Sequence, residues 1–155
     1  MGRRMEMRIW VDADAMPKAV KEVLYRAAQK RRVSVIFVAN RYLNLPSSPF
    51  LQMIQVRHGA DVADDRIVEE CGEGDLVISA DVPLAARVVE KGAIVLQPHG
   101  RTLDAENVGE ALSFRDFGDV LRNAGIETGG PPPFSAADKG KFSNALDRWI
   151  TRTIR

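Results

Sequence analysis

The chain has 155 residues, 45% of them hydrophobic and 28% charged, with a net charge of +1. That balance fits one globular domain able to bury a sizeable core and excludes a multidomain assembly. Its longest apolar runs, such as residues 35–39 and 76–78, are far shorter than the ~20 residues of a membrane span. Arg3, Arg4 and Arg8 precede Asp12 without an apolar h-region, so no secretory signal is read and the cytoplasm is the expected compartment. Cys71 is the one cysteine. It can form neither an intramolecular disulfide nor a cysteine zinc site, and reads as a buried thiol.

The small net charge hides an uneven distribution. Residues 1–50 hold ten Lys/Arg against four Asp/Glu, residues 51–110 five against twelve, and residues 111–155 seven against five. An acidic middle between basic ends suits a carboxylate site flanked by cations for a phosphate-rich partner. An ordinary solvated surface produces the same counts.

In chain order, residues 1–6 read as a loose leader ahead of a domain over 7–155. Residues 8–11 form a short buried strand ending at Asp12. Pro17 opens a helix whose stripe is Val20, Val23, Leu24, Ala27 and Ala28. Lys30, Arg31 and Arg32 stand at its carbonyl end, and the β-branched run 33–39 is a central strand. Residues 40–49 are a loop rich in Asn, Pro and Ser. A third strand over 53–56 is broken by Gly59, and a helix over 61–70 turns Ala60, Ala63, Ile67, Val68 and Cys71 to one side. Residues 75–79 are a fourth strand, 82–91 a helix, and 93–96 a fifth strand.

This alternation with short links specifies a three-layer α/β/α fold around a mainly parallel sheet of about five strands, with right-handed crossovers. Two helical stretches follow, around 105–112 and 115–123. A Gly/Pro-rich connector over 125–134 leads to a C-terminal docking helix over 135–153. That helix opens on the capping box formed by Ser135 and Asp138 and carries the stripe Phe142, Ala145, Leu146, Trp149 and Ile150.

In an open parallel sheet, ligands bind beyond the carboxyl ends of the strands, where strand order reverses. Asp12 and Asp14 follow the first strand, Asp81 follows the fourth, and Asp61, Asp64 and Asp65 begin the helix after the third. With strands one and four adjacent, in a 3-2-1-4-5 order, Asp12 and Asp81 meet across the switch point. Asp64 shares the stripe of Ile67 and Cys71 and should face the sheet, where an unpaired carboxylate costs several kcal/mol. Asp61 reaches the same mouth.

Each acid also has a capping reading: Asp14 before Pro17, Asp81 before Pro83, and Asp61 on its own helix. Together, Asp12, Asp14, Asp61, Asp64 and Asp81 suit Mg²⁺ or Mn²⁺, hard ions that need few carboxylates beside water and phosphate. One or two such ions support phosphodiester cleavage.

Val11-Asp12-Ala13-Asp14-Ala15-Met16-Pro17 resembles the signature of the bacterial YaiI/YqxD family (UPF0178, DUF188), whose usual form has Cys where Met16 stands. Gly59-Ala60-Asp61-Val62-Ala63-Asp64, Ser79-Ala80-Asp81-Val82-Pro83-Leu84-Ala85 and Gly130-Pro131-Pro132-Pro133-Phe134 resemble its other blocks. The resemblance runs from Met7 onward and implies a PIN-like domain. In such domains an acidic cluster binds Mg²⁺ or Mn²⁺ for RNA cleavage, although this family has no established activity. By position, Asp12, Asp64 and Asp81 resemble the catalytic acids of that cluster, assisted by Asp14 and Asp61. Arg41, Arg57 and Arg101 follow strands at the same edge and are the expected phosphate contacts of an RNA partner.

Two other readings remain open. Asp12-x-Asp14 after a hydrophobic strand also resembles the first motif of haloacid-dehalogenase-type phosphatases, with Asp12 as nucleophile, but no later Gly-Asp-x-x-x-Asp pair follows. The acids can also serve a non-catalytic nucleic-acid- or metal-binding module. His58 and His99 each precede Gly in loops and receive no role. The sequence contains no GxxxxGK, GxGxxG, HExxH or nucleophile-elbow motif, which sets aside P-loop hydrolysis and dinucleotide redox chemistry.

Overall fold

A computed structural model describes residues 7–59, 61–126 and 133–153. The leader over 1–6 and most of the Gly/Pro-rich connector lie outside them. The elements are β1 (Arg8–Asp12), α1 (Lys18–Arg31), β2 (Ser34–Ala39), β3 (Leu51–Gln55), α2 (Val62–Glu70), β4 (Leu76–Ile78), α3 (Val82–Glu90), β5 (Ile94–Leu96), β6 (Thr102–Leu103), α4 (Val108–Asn123) and α5 (Ala136–Thr153).

The sheet has the order β3-β2-β1-β4-β5-β6. All pairings are parallel except β5 with β6. The expected 3-2-1-4-5 order therefore holds and extends by one strand. The central strands are buried on both faces and read as continuous apolar runs, as parallel strands between helices do. Side chains alternate across β1. Ile9 and Val11 join the core under α1 and α5, with Leu24, Phe37, Phe142 and Trp149. Trp10 joins the core under α2, α3 and α4, with Ile67, Leu84, Val88 and Ala111. By the same period of two, Asp12 projects on the Trp10 side.

Several elements differ from the sequence expectation. The third strand starts at Leu51, because the Ser48 hydroxyl and carbonyl set up the turn into it, bonding Phe50 N and Leu51 N at 3.1 and 3.3 Å. The stretches around 105–112 and 115–123 form one continuous α4. Ser113 and Phe114 between them carry no helix-breaking residue.

The two-residue β6 is too short to leave a periodic signal. It arises because the chain turns back at residues 97–100, where Gly100 N donates to Gln97 O at 2.9 Å. Gly100 sits at φ +100°, and a Cβ there would come within 2.9 Å of the Lys141 carbonyl carbon, so only glycine lets this turn meet α5. The Ser135–Asp138 capping box forms as expected. Asp138 N donates to Ser135 Oγ at 3.1 Å and Ser135 N to Asp138 Oδ2 at 3.0 Å. Cys71 is a free, buried thiol. No helix among the described residues is long and apolar enough to cross a membrane.

Candidate active site

The switch point falls between β1 and β4, which pair in register Ile9–Leu76, Trp10–Val77 and Val11–Ile78. One residue past the last of these pairs lie Asp12, which ends β1, and Ser79, which follows β4. The Ser79 hydroxyl, fully buried, donates to Asp12 Oδ2 at 2.9 Å. It also accepts from Asp81 N at 3.0 Å. One hydroxyl thus fixes the Asp12 carboxylate and the backbone that carries Asp81. Asp81 caps α3, with its Oδ1 accepting from Leu84 N at 3.0 Å and Pro83 in the first turn. The capping reading therefore holds for Asp81, but capping engages only one of its two oxygens.

It fails for Asp14 and Asp61. Asp14 does not cap α1, whose N-cap is Pro17 with no side-chain bond. Instead, both Asp14 oxygens accept from Asn40 N, at 2.9 and 3.1 Å, and tie the β1–α1 turn to the end of β2. Asp61 occupies the N-cap position of α2 at φ 64° without a side-chain cap bond. This is left-handed backbone that Asp tolerates better than most residues.

Asp64 stands in the first turn of α2, half-buried and three residues before the buried Ile67, facing the sheet as its stripe predicts. It meets no hydrogen-bond donor among the described residues. Its carboxyl is pushed up to about 6, first by burial and then by repulsion from Asp12, Asp81 and Asp61, with Arg87 opposing. Asp12 is raised as well. Burial is the largest cause, the Ser79 hydrogen bond pulls the other way, and Asp81 and Asp14 add repulsion. The neighbouring Asp65 points away and pairs with Arg87 at 3.0 Å.

Asp12 and Asp81 line a cleft of about 390 Å³ with Ala15, Met16, Ala80, Pro98 and Arg115. Met16 thus forms part of this wall. Arg115 was not among the residues singled out in the sequence, because α4 reaches the cleft only by packing back over α3. No local motif could have found it. Its guanidinium pairs with Asp119 at 3.1 Å and Asp116 at 3.8 Å. Ser79 stands out in the sequence only as the start of the Ser79–Ala85 block; its part in holding Asp12 had one available signal, a polar side chain ending an otherwise apolar strand.

Arg41, Arg57 and Arg101 are exposed. None of them lines the Asp12–Asp81 cleft. Arg57 instead lines a separate cleft of about 410 Å³ with Gln55, Asp65, Arg66 and Glu69. His58 and His99 are exposed loop residues.

As a metal site the cluster is open. Among the described residues, no group of three or more His, Cys, Asp or Glu side chains is placed to hold a metal ion. The donor chemistry, carboxylate oxygens only with two of them fixed by neighbours, is that of a hard ion that keeps most of its waters.

A three-layer α/β/α domain with acids gathered at its switch point defines the class of protein. Residues 10–152 match the family described as "Uncharacterized BCR, YaiI/YqxD family". The chain is 58% identical to UPF0178 protein DP1304 of Desulfotalea psychrophila, over 94% of this chain and 99% of that protein. It is 52% identical to a UPF0178 protein of Shewanella amazonensis over 94% and 98%, and 51% identical to UPF0178 protein PMI1258 of Proteus mirabilis over 96% and 99%. No solved structure matches it. The chain belongs to the YaiI/YqxD (UPF0178) family.

Proposed function

We propose that this chain is a divalent-metal-dependent, PIN-like ribonuclease, with Asp12, Asp64 and Asp81 as its catalytic acids and Asp14 and Asp61 in support. The observation that supports this reading is that Asp12, at the end of β1, and Asp81, the α3 N-cap, line one cleft at the sheet's switch point, with Asp64 of α2 near enough to be repelled by both. Asp12 is held there by Ser79 and faces Asp81 across one cleft. Repulsion among acids that the fold holds together is offset when a cation joins them.

Asp12 and Asp81 would hold Mg²⁺ or Mn²⁺ through the oxygens not engaged by Ser79 and Leu84, with Asp64 beside them. When bound, the ion supplies an acidified water and charge stabilisation for phosphodiester cleavage. The chain's own part is positional. Ser79 fixes the Asp12 carboxylate, Leu84 N fixes Asp81, and the Asp14–Asn40 tie keeps the turn after β1 from opening. Arg115, at the cleft wall, and the exposed Arg41, Arg57 and Arg101 are the cations that would meet RNA phosphates.

Mn²⁺ titration calorimetry on the wild type and Asp12→Asn, paired with incubation against a mixed RNA pool, tests this. The expected result is metal binding and metal-dependent products from the wild type, both lost in the variant. Metal binding with intact RNA would reassign the chain as a metal-binding module. Aspartyl-phosphate formation on a small phosphomonoester would make it a phosphatase with Asp12 as nucleophile. Equal Mn²⁺ affinity in the two proteins would remove Asp12 from the site.

A further inference from the structure

The sheet's other face carries a second cavity. It lies between α5 and the strands β4, β5 and β6, and measures about 280 Å³. We propose that this cavity binds an organic monophosphate of mononucleotide size. It is separate from the acidic cleft: its floor residues Leu76, Leu96 and Trp149 belong to the core under α1 and α5, whereas Asp12 projects on the side of Trp10.

Its chemistry is divided. Leu76, Ile94 and Leu96 give an apolar floor, and Arg148 and Arg152, one turn apart on α5, stand at its rim. Neither arginine has an ion-pair or hydrogen-bond partner among the described residues. Two guanidiniums on one helix face present forked donors suited to a phosphate, and Arg152, in the last turn, offsets the carbonyl-end dipole of α5.

Trp149 supplies the second observation. It is only 4% exposed, yet its indole N–H meets no acceptor among the described residues. No sealed side-chain nitrogen or oxygen among them lacks a partner, so this N–H keeps some contact with solvent, and Trp149 is one of the residues that line the cavity. A buried indole ordinarily finds an acceptor.

Asp104 also lines the cavity, and its Oδ1 accepts from Glu106 N at 2.9 Å and Asn107 N at 3.2 Å. Its other oxygen can accept from an N–H or O–H at the far end of a ligand, and its charge disfavours a second phosphate. At about 280 Å³ the cavity falls just below the roughly 300 Å³ at which small-molecule sites begin, so it suits a small ligand whose phosphate stays at the opening. A flat body on the apolar floor, a single phosphate on the arginines and a donor toward Asp104 describe a nucleoside monophosphate.

The test is calorimetric titration with UMP and with AMP in the presence of EDTA, using uridine and inorganic phosphate as separate arms. A change in tryptophan fluorescence that the Trp149→Phe variant loses, leaving only the signal of Trp10, reports local occupancy. Because no metal and no cleavage are involved, failure here is distinguishable from failure of the nuclease reading.

Saturable binding of at least one nucleotide is expected, with uridine and phosphate each at least tenfold weaker. Arg148→Ala/Arg152→Ala should weaken the nucleotide at least tenfold. Trp149→Phe, which keeps the ring and loses the N–H, should weaken it severalfold, and Asp12→Asn should leave it unchanged. Both arginines are exposed, so their variant should keep the wild-type melting temperature. The proposal is overturned if neither nucleotide binds, if phosphate alone binds as tightly, if the arginine variant binds normally, or if Asp12→Asn abolishes binding.

Discussion

Asp75 and Asp64 are both carboxylates drawn in from the surface, at opposite ends of the same sheet, and the protein treats them differently. Asp75 is 3% exposed but fully provided for. It accepts from Arg8 N at 3.0 Å, Trp10 Nε1 at 3.0 Å and Gly72 N at 2.9 Å, and pairs with the Arg8 guanidinium at 3.4 Å. Asp64 is less buried, yet faces other acids and no donor among the described residues. Depth therefore does not mark a functional acid here. An acid fully matched by donors belongs to the framework, whereas one left among its own kind is held ready for something from outside.

The contrast can be broken from the framework side first. Asp75→Ala should cost about 3–5 kcal/mol, because it strands a buried indole N–H and backbone donors at the root of β1. A urea or thermal melt measures it. A loss below about 1 kcal/mol would show that water replaces the carboxylate and that the two ends are not so different. Ser79→Ala sits between the two cases. It should cost about 1.5–3 kcal/mol, since a hydrogen bond to a charged group and the partner of Asp81 N are both lost. It should also weaken Mn²⁺ binding in the same titration used for Asp12→Asn.

At the unmatched end the sign reverses. The native state holds the Asp64 proton more tightly than the unfolded chain, since the carboxyl sits at about 6. Stability from this group is therefore full below about pH 4 and lost as pH rises through about 6. Asp64→Asn should stabilise the protein above that point by about 1 kcal/mol, after allowance for solvent screening of a half-buried group, and the gain should vanish below about pH 4. Melts at pH 3.5 and pH 7.5 would show it, and a pH-independent difference would contradict the assignment. The smallest effect is a control away from both ends. Ser135→Ala should cost about 0.5–1 kcal/mol through the lost α5 cap, with metal binding unchanged in calorimetry.

Much of this contrast could be read before any coordinates. The β-branched run through Val35, Ile36, Phe37 and Val38 and the alternation of strands with striped helices define the doubly wound core, because both signals are local and repeat over many residues. Asp64 could be placed for the same reason, since three positions separate it from Ile67.

The features that escaped depend on distant segments. The role of Asp14 is ambiguous in the sequence because the choice between capping and cross-strand bonding is set by where Asn40 ends up. Arg115 enters the cleft only through the packing of α4 on α3. β6 exists because a turn reverses the chain beside β5, and a pair of residues has no period to detect.

The bond from Ser79 to Asp12 joins positions 67 residues apart in the chain. Such a link cannot form early through local collapse. It waits for the central strands to zip together after a long loop has closed. Anything that needs Asp12 and Asp81 as a pair thus recognises only chains that have completed this step. An ion bound there would act as a proofreader of the finished fold, raising the melting temperature in proportion to the logarithm of its concentration.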